Sequence, residues 1–249
     1  MPSTAKTTTT HPVVSREVWL EARKQHLARE KEITRLRDEL YEERRALPWV
    51  IVDKEYVFHG PNGDETLSDL FGNNSQLIVY HFMYAPGWEE GCPGCSFISD
   101  HIDGANLHLA HHDVTLLAVS RAPLADFQAF KKRMGWKFKW VSSHGNDFNF
   151  DFGVSFTKEC FAQGPVYYNY ALKTTENEGE APGASVFYKD EDGTIYHTYS
   201  TYARGGDILI NTHNYLDMTP KGRNESSTMD WMRHHDRYEN VEPRHKCCS

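Results

Sequence analysis

The sequence predicts an α/β protein in which a central mixed β-sheet is flanked by helices and preceded by an N-terminal helical extension. Three observations carry that expectation. Residues 76–83 (QLIVYHFM) form an almost uninterrupted apolar run of strand length, the pattern of a strand buried on both faces. Residues 113–120 (DVTLLAVS) repeat it after a helical stretch, and strand, helix, strand in that order implies a right-handed parallel crossover. Residues 184–189 and 194–201 flank Asp190-Glu191-Asp192-Gly193, a turn signal that predicts an antiparallel hairpin, so the sheet must mix both kinds of pairing.

Taken in order, residues 1–14 read as a disordered leader. Residues 15–47 are charge-dense and free of Pro and Gly, with Ser15 placed as an N-cap and Pro48 just past the end, so they predict one long helix. Glu32 with Arg35, and Glu42 with Arg45, are spaced to pair on its solvent face. Ile33, Leu36, Leu40 and Leu47 make an apolar stripe too short for a free-standing coiled coil; docking on the domain is expected, a homodimer seam being the other use of the stripe. Residues 49–52 and 56–58, with the Gly60-Pro61-Asn62-Gly63 turn, read as a hairpin, and 66–71 as a helical turn.

After the strand at 76–83, residues 96–112 predict a helix bent near Gly104. Pro123 opens a helix running to Met134, and residues 137–142 give a third strand that completes a β-α-β-α-β unit. Residues 143–183 hold turn signals and aromatics without a period, and irregular structure is expected there. Residues 207–216 should form the last core helix, ended by Pro220, with an amphipathic segment at 229–238. The main domain is therefore expected over 48–220, and 221–249 as a tail with at most a short helix.

A chain of 249 residues, 39% hydrophobic and 13% aromatic, has enough apolar material for one large domain. Its net charge of -8 gives no electrostatic reason to seek nucleic acid or an anionic membrane surface. No stretch approaches the ~20 apolar residues that span a bilayer, and the N-terminus lacks the pattern of a secretory signal. A cytoplasmic, reducing location is expected, where the five cysteines are thiols, ligands or catalysts rather than structural disulfides.

Cys92-Pro93-Gly94-Cys95 follows a buried strand and a loop and immediately precedes a predicted helix. A cysteine at a helix N-terminus meets unsatisfied backbone N–H groups and the positive end of the macrodipole, both of which favour thiolate. Cys92 is thus the candidate nucleophile. One helical turn brings Cys95 beside it, where it can resolve a mixed disulfide. Pro93 stiffens the link and Gly94 permits close approach of a substrate. Glu89 and Glu90 oppose thiolate formation unless their side chains point into water. A zinc knuckle needs a second ligand pair, which Cys160, Cys247 and Cys248 do not supply at the required spacing.

The blocks YHFM at 80–83, WEEGCPGCS at 88–96, VSRAP at 119–123, KRMGW at 132–136 and HTYSTYARG at 197–205 resemble the thioredoxin superfamily. Within it the chain is most similar, over residues 11–238, to DUF899, a thioredoxin-like family predicted to contain dithiol-disulfide oxidoreductases. The resemblance implies a thioredoxin-like fold and thiol–disulfide exchange at Cys92 and Cys95, with a disulfide-containing protein or small molecule as substrate and a separate reductant. Two departures from ordinary thioredoxins are visible. The interior dipeptide is Pro-Gly, and the loop before Cys92 is longer and carries Trp88, a candidate substrate contact. Thioredoxins also present a cis-proline before the hairpin strand; counting back from the 190–193 turn puts Ala184 or Ser185 there, with Pro182 slightly early. A peroxiredoxin-like peroxide reductase is a further alternative, but its pattern places a threonine three residues before the reactive cysteine, where Glu89 stands.

Fourteen histidines suggest a rival from another class, a metal-binding or copper-chaperone-like module joining the dithiol to His81 or His197. His111-His112 and His234-His235 read as solvated helix ends, and Ser200-Thr201-Tyr202 as strand surface. Arg121 and Arg204 could hold an anionic substrate group or form structural ion pairs. Cys160 reads as a lone thiol, and Cys247-Cys248 as incidental or as an electron shuttle. No phosphate loop or dinucleotide fingerprint is present, so no bound nucleotide cofactor is expected.

Overall fold

The computed structural model describes residues 11–174 and 179–238; the expectations for residues 1–10 and for Cys247 and Cys248 lie outside them. The chain divides into two units that join between Pro48 and Trp49. The first holds one helix, α1 (Arg16–Arg45), whose N-cap Ser15 accepts a hydrogen bond from the Val18 amide at 3.4 Å. Glu32 pairs with Arg29 at 2.5 Å instead of with Arg35, because Arg29 reaches it equally well from the preceding turn.

The second unit is built on an eight-stranded sheet in the order β1-β10-β9-β4-β5-β6-β2-β3. Its strands are β1 (Val50–Ile51), β2 (Val57–Gly60), β3 (Gly63–Thr66), β4 (Gln76–His81), β5 (Val114–Ser120), β6 (Trp140–Ser142), β9 (Gly183–Lys189) and β10 (Ile195–Tyr202); β7 (Val166–Tyr168) and β8 (Ala171–Lys173) form a separate hairpin. Pairing is parallel along β4-β5-β6 and antiparallel elsewhere in the eight strands, as a mixed sheet requires. The turn at 60–63 joins β2 to β3, while β1 crosses to the far edge and pairs with β10, so 49–52 and 56–58 do not face each other. The fold is thioredoxin-like, with the β4-to-β5 crossover and the β9-β10 hairpin at the centre.

Two helices make that crossover, α3 (Pro93–Ser99) and α4 (Ile102–Leu109), in place of the single bent helix expected over 96–112. The break falls at Asp100 and His101, ahead of Gly104. Asp100 accepts from Trp136 Nε1 at 2.7 Å, and His101 Nε2 lies 2.9 Å from Thr212 Oγ1, so contacts from distant segments fix the joint. The remaining helices are α2 (Leu67–Leu70), α5 (Leu124–Arg133), α6 (Phe148–Asp151), α7 (Lys158–Ala162) and α8 (Asn211–Asp217). A 3₁₀ segment, Ala203–Leu209, takes up the first part of the helix expected from Asp207.

Alternation along the strands splits the core in two. Tyr80, Ala118, Trp140 and Ala184 face α3 to α5 in one cluster, together with Phe82, Phe127, Phe130 and Cys95. Leu77, Val79, Leu117, Val119, Val141 and Phe187 face the other way, against α2 and Phe148 of α6. Ser200 is buried on β10 and hydrogen-bonds His197 Nε2 at 2.7 Å and Ser185 Oγ at 2.8 Å, which corrects the surface expectation for it. His197 Nε2 also donates to the Tyr199 carbonyl at 3.1 Å, so that nitrogen carries the proton and is no base for Ser200.

Candidate dithiol site

Cys92 is the N-cap of α3, Pro93 is the first helical residue, and Cys95 lies one turn in, fully buried. The loop that delivers them is held by backbone: Cys92 N donates to Met83 O at 3.3 Å, Phe82 N to Val119 O at 2.9 Å, and Ala122 N to Tyr84 O at 2.9 Å. Gly91 is required immediately before the pair, because a Cβ there would stand 2.6 Å from Phe82 Cε1 and 2.8 Å from Phe130 Cε1. Both thiols are free and line one cavity of about 270 Å³ with Tyr80, Gly94, Pro182 and Met229.

The two sulfurs are polarised in opposite directions. The neighbouring Cys95 thiol, and after it the backbone of Cys95 and Gly94, bring Cys92 down to about 6 against the opposing effect of burial. Burial pushes Cys95 well up, and the neighbouring Cys92 thiolate pushes it further. Met83 N donates to Cys95 Sγ at 3.4 Å. Tyr80 Oη is buried beside Cys95 without an aligned hydrogen-bond partner, close enough to act on the sulfur as a dipole but not bonded to it.

The feared carboxylate is neutralised. Glu90 pairs with Arg133 at 2.5 Å and with Arg237, and the Arg133 contact holds it below its ordinary value. Arg237 belongs to a segment that sequence reasoning left in the tail. Met232 packs with Phe97 and Ile210, and His234, 4% exposed, donates from Nε2 to the Gly91 carbonyl at 2.9 Å while Nδ1 accepts from Arg133 at 3.1 Å. His234 is thus an interior strut of the dithiol loop, not a solvated helix end, and only His235–Arg237 forms a 3₁₀ turn.

Other expected contacts divide. Gly94 lines the cavity, whereas Pro93 is exposed on the outer side of the turn and Trp88 packs, half-buried, on the core cluster. Of the three positions considered opposite the dithiol, Pro182 is the one at the sulfurs, because β9 begins at Gly183, a residue earlier than expected. Ala184 faces the same side one step deeper; Ser185 points through the sheet and bonds His81 Nε2 at 2.8 Å. His81 lies on the face opposite Tyr80, and His197 sits against Phe152 and Phe187 on that face too, so neither reaches Cys92 or Cys95. Among the described residues no group of three or more His, Cys, Asp or Glu is arranged to hold a metal ion.

Arg121 is taken by Glu180 at 2.6 Å, and Arg204 by Asp207 at 2.7 Å, which makes both structural. Cys160 is an exposed thiol in the first turn of α7. Tyr80, Met229 and His234 are site residues beyond those the sequence marks; period-2 alternation places Tyr80 opposite His81, but no local signal marks Met229 or His234.

Residues 8–238 match a family described as bacterial protein of unknown function, DUF899. No curated protein matches the sequence. Among solved structures, peroxidoxin BcpB from Mycobacterium tuberculosis is similar at 13% identity and a TM-score of 0.43, over 68% of this chain and 96% of that one. A PrxQ mutant from Xylella fastidiosa is similar at 16% identity and 0.40, over 64% and 88%. The mitochondrial 2-Cys peroxiredoxin from Plasmodium falciparum follows at 15% identity and 0.37, over 67% and 92%. No helix among the described residues is long and apolar enough to cross a membrane.

Proposed function

The chain belongs to the DUF899 family, and we propose that within it the protein is a thiol–disulfide oxidoreductase working through Cys92 and Cys95. The observation that carries this reading is geometric: two free thiols, Cys92 at the N-cap of α3 and Cys95 one turn in, line one cavity, and their surroundings lower Cys92 and raise Cys95 from the ordinary thiol value. A nucleophile with a pKa near the ambient pH is the best placed for exchange, being both ionised and still basic.

Cys92 thiolate attacks one sulfur of a disulfide, forming a mixed disulfide and expelling the other sulfur as thiolate, which takes a proton from water. The charge on Cys92 is then gone, and with it the effect that raised Cys95 most after burial. The Met83 amide and the Tyr80 hydroxyl remain to stabilise Cys95 as it ionises. Cys95 attacks Cys92 Sγ, the second product leaves as a thiol, and the pair has given up two electrons. An external thiol reductant restores it.

The same thiolate could attack a peroxide, giving a sulfenic acid that Cys95 would condense to the same disulfide. Glu89, which occupies the place of the peroxiredoxin threonine, is exposed and directs no hydroxyl toward that chemistry. The copper-chaperone alternative has no third ligand on the dithiol face in His81 or His197. The test is Cys95→Ser. With the resolving thiol removed, incubation with a disulfide should leave Cys92 covalently bonded to half of the reagent, seen as an added mass that dithiothreitol removes. An unmodified Cys92 under conditions that turn over the wild type would refute the two-step scheme.

A further inference from the structure

Tyr80 and Ile98 line not only the cavity at the sulfurs but also two adjoining hollows, a small one of about 30 Å³ and a large chamber of about 620 Å³, and Ala184 and Leu209 line both of these. That chamber lies between β4, β5 and α4 and is walled by Ile78, Ile102, Leu109 and Leu116, with Asn211 and Asn214 at α8. Its volume is that of a small-molecule site, and its walls are mostly apolar with a few polar groups, as such sites are. Tyr80 stands where all three spaces meet, 2% exposed, with a hydroxyl that has no aligned partner and can donate to a guest.

The side of the cavity that would greet an extended polypeptide offers, by contrast, little for strand pairing. Pro182 has no N–H, its carbonyl accepts from Tyr168 Oη at 2.7 Å, and the Ala181 N–H is taken by the Val154 carbonyl. β9 behind it is an interior strand with partners on both sides.

We propose that the substrate of the dithiol is a low-molecular-weight organic disulfide whose aliphatic or aromatic body enters this chamber, rather than a disulfide in a protein segment. This rests on the oxidoreductase reading given above. The apolar half lies along Tyr80 and Ile98 into the chamber, its sulfur meets Cys92, and the other half leaves as a thiolate. Cys95 then closes the Cys92–Cys95 disulfide and frees the apolar thiol, the dithiol supplying both electrons and an external thiol restoring it.

The experiment uses 2-hydroxyethyl alkyl disulfides of increasing alkyl length, with bis(2-hydroxyethyl) disulfide as the polar reference, against reduced full-length protein. The second-order rate constant for oxidation of the dithiol should rise by up to about fourfold per added methylene until the chamber is filled. Ala105→Trp, at an exposed wall position of α4, should flatten that rise and leave the rate with the polar reference unchanged. Ile208→Trp, also exposed, blocks from the opposite wall and guards against misfolding of the first variant. A rate independent of chain length in the wild type, a rise that survives both tryptophans, or faster reduction of a protein disulfide than of any member of the series overturns this proposal alone. No reaction with the polar reference or any other disulfide overturns the oxidoreductase reading, and this proposal with it.

Discussion

Cys92→Ser is expected to lower disulfide reductase turnover by about a thousandfold or more, the scale on which loss of a catalytic nucleophile acts. A serine hydroxyl in the same surroundings, beside the Cys95 thiol and the Gly94 and Cys95 backbone, stays protonated across the accessible pH range. The effect on stability should be small by comparison. Cys92 is only half-buried, and the smaller oxygen takes the place of the sulfur without a clash. Turnover measured with bis(2-hydroxyethyl) disulfide and a thiol reductant reads this directly. Residual activity within tenfold of wild type would move the chemistry to another thiol, with exposed Cys160 the first to examine.

The second large effect concerns stability. Glu180 is 2% exposed and accepts from Arg121 Nε at 2.6 Å and from Ser155 Oγ at 2.8 Å. The segment it anchors runs directly to Pro182 at the sulfurs, and Ala181 N donates to Val154 O at 2.8 Å. Arg121→Ala leaves that carboxylate buried without its cation, and the expected loss is about 3 kcal/mol, the lower end for a broken buried pair because Arg121 retains some contact with water. For a unit of this size that is about 6–12 °C in Tm.

The pH dependence follows from burial, which already holds the Glu180 carboxyl above its ordinary value against the pull of Arg121. Without Arg121 it rises further. A carboxyl raised in the folded state keeps its proton where the unfolded chain has lost it, so stability falls as pH rises above the unfolded value. The deficit of the variant should therefore be smallest near pH 5 and grow toward pH 8 in thermal melts. An unchanged Tm accompanied by weaker substrate binding would instead make Arg121 an anion-binding residue.

The parts of this structure that sequence could convey are those decided locally. β4 and β5 read as strands because a strand covered on both faces has no polar alternation to confuse it, and β9-β10 read as a hairpin because Asp190 to Gly193 can form little else. The dithiol is legible for the same reason: a buried strand, the loop after it and Pro93 at a helix start are all contiguous. What was missed is held across the fold. The break between α3 and α4 depends on Trp136 and Thr212, not on Gly104. His234 reaches Gly91 from 143 residues away, and the amphipathic pattern of 229–238 does not say what that segment packs against. Ser185 was placed one strand position too far toward the dithiol, and period-2 alternation turned that single step into the opposite face of the sheet. The histidines considered as ligands failed likewise, His81 following Tyr80 and therefore facing away from Cys95.

All of the proposed chemistry depends on Cys92 being ionised while Cys95 is not. The most direct measurement is the pH dependence of iodoacetamide alkylation of the reduced protein, resolved by peptide mass spectrometry into the separate cysteines. Labelling of Cys92 should follow a single titration with its midpoint at about 6, falling away below that pH as the thiolate takes up its proton, while Cys95 stays unlabelled until the protein unfolds. A Cys92 midpoint near the ordinary thiol value of 9.0, or Cys95 alkylated as fast as Cys92, would contradict the account.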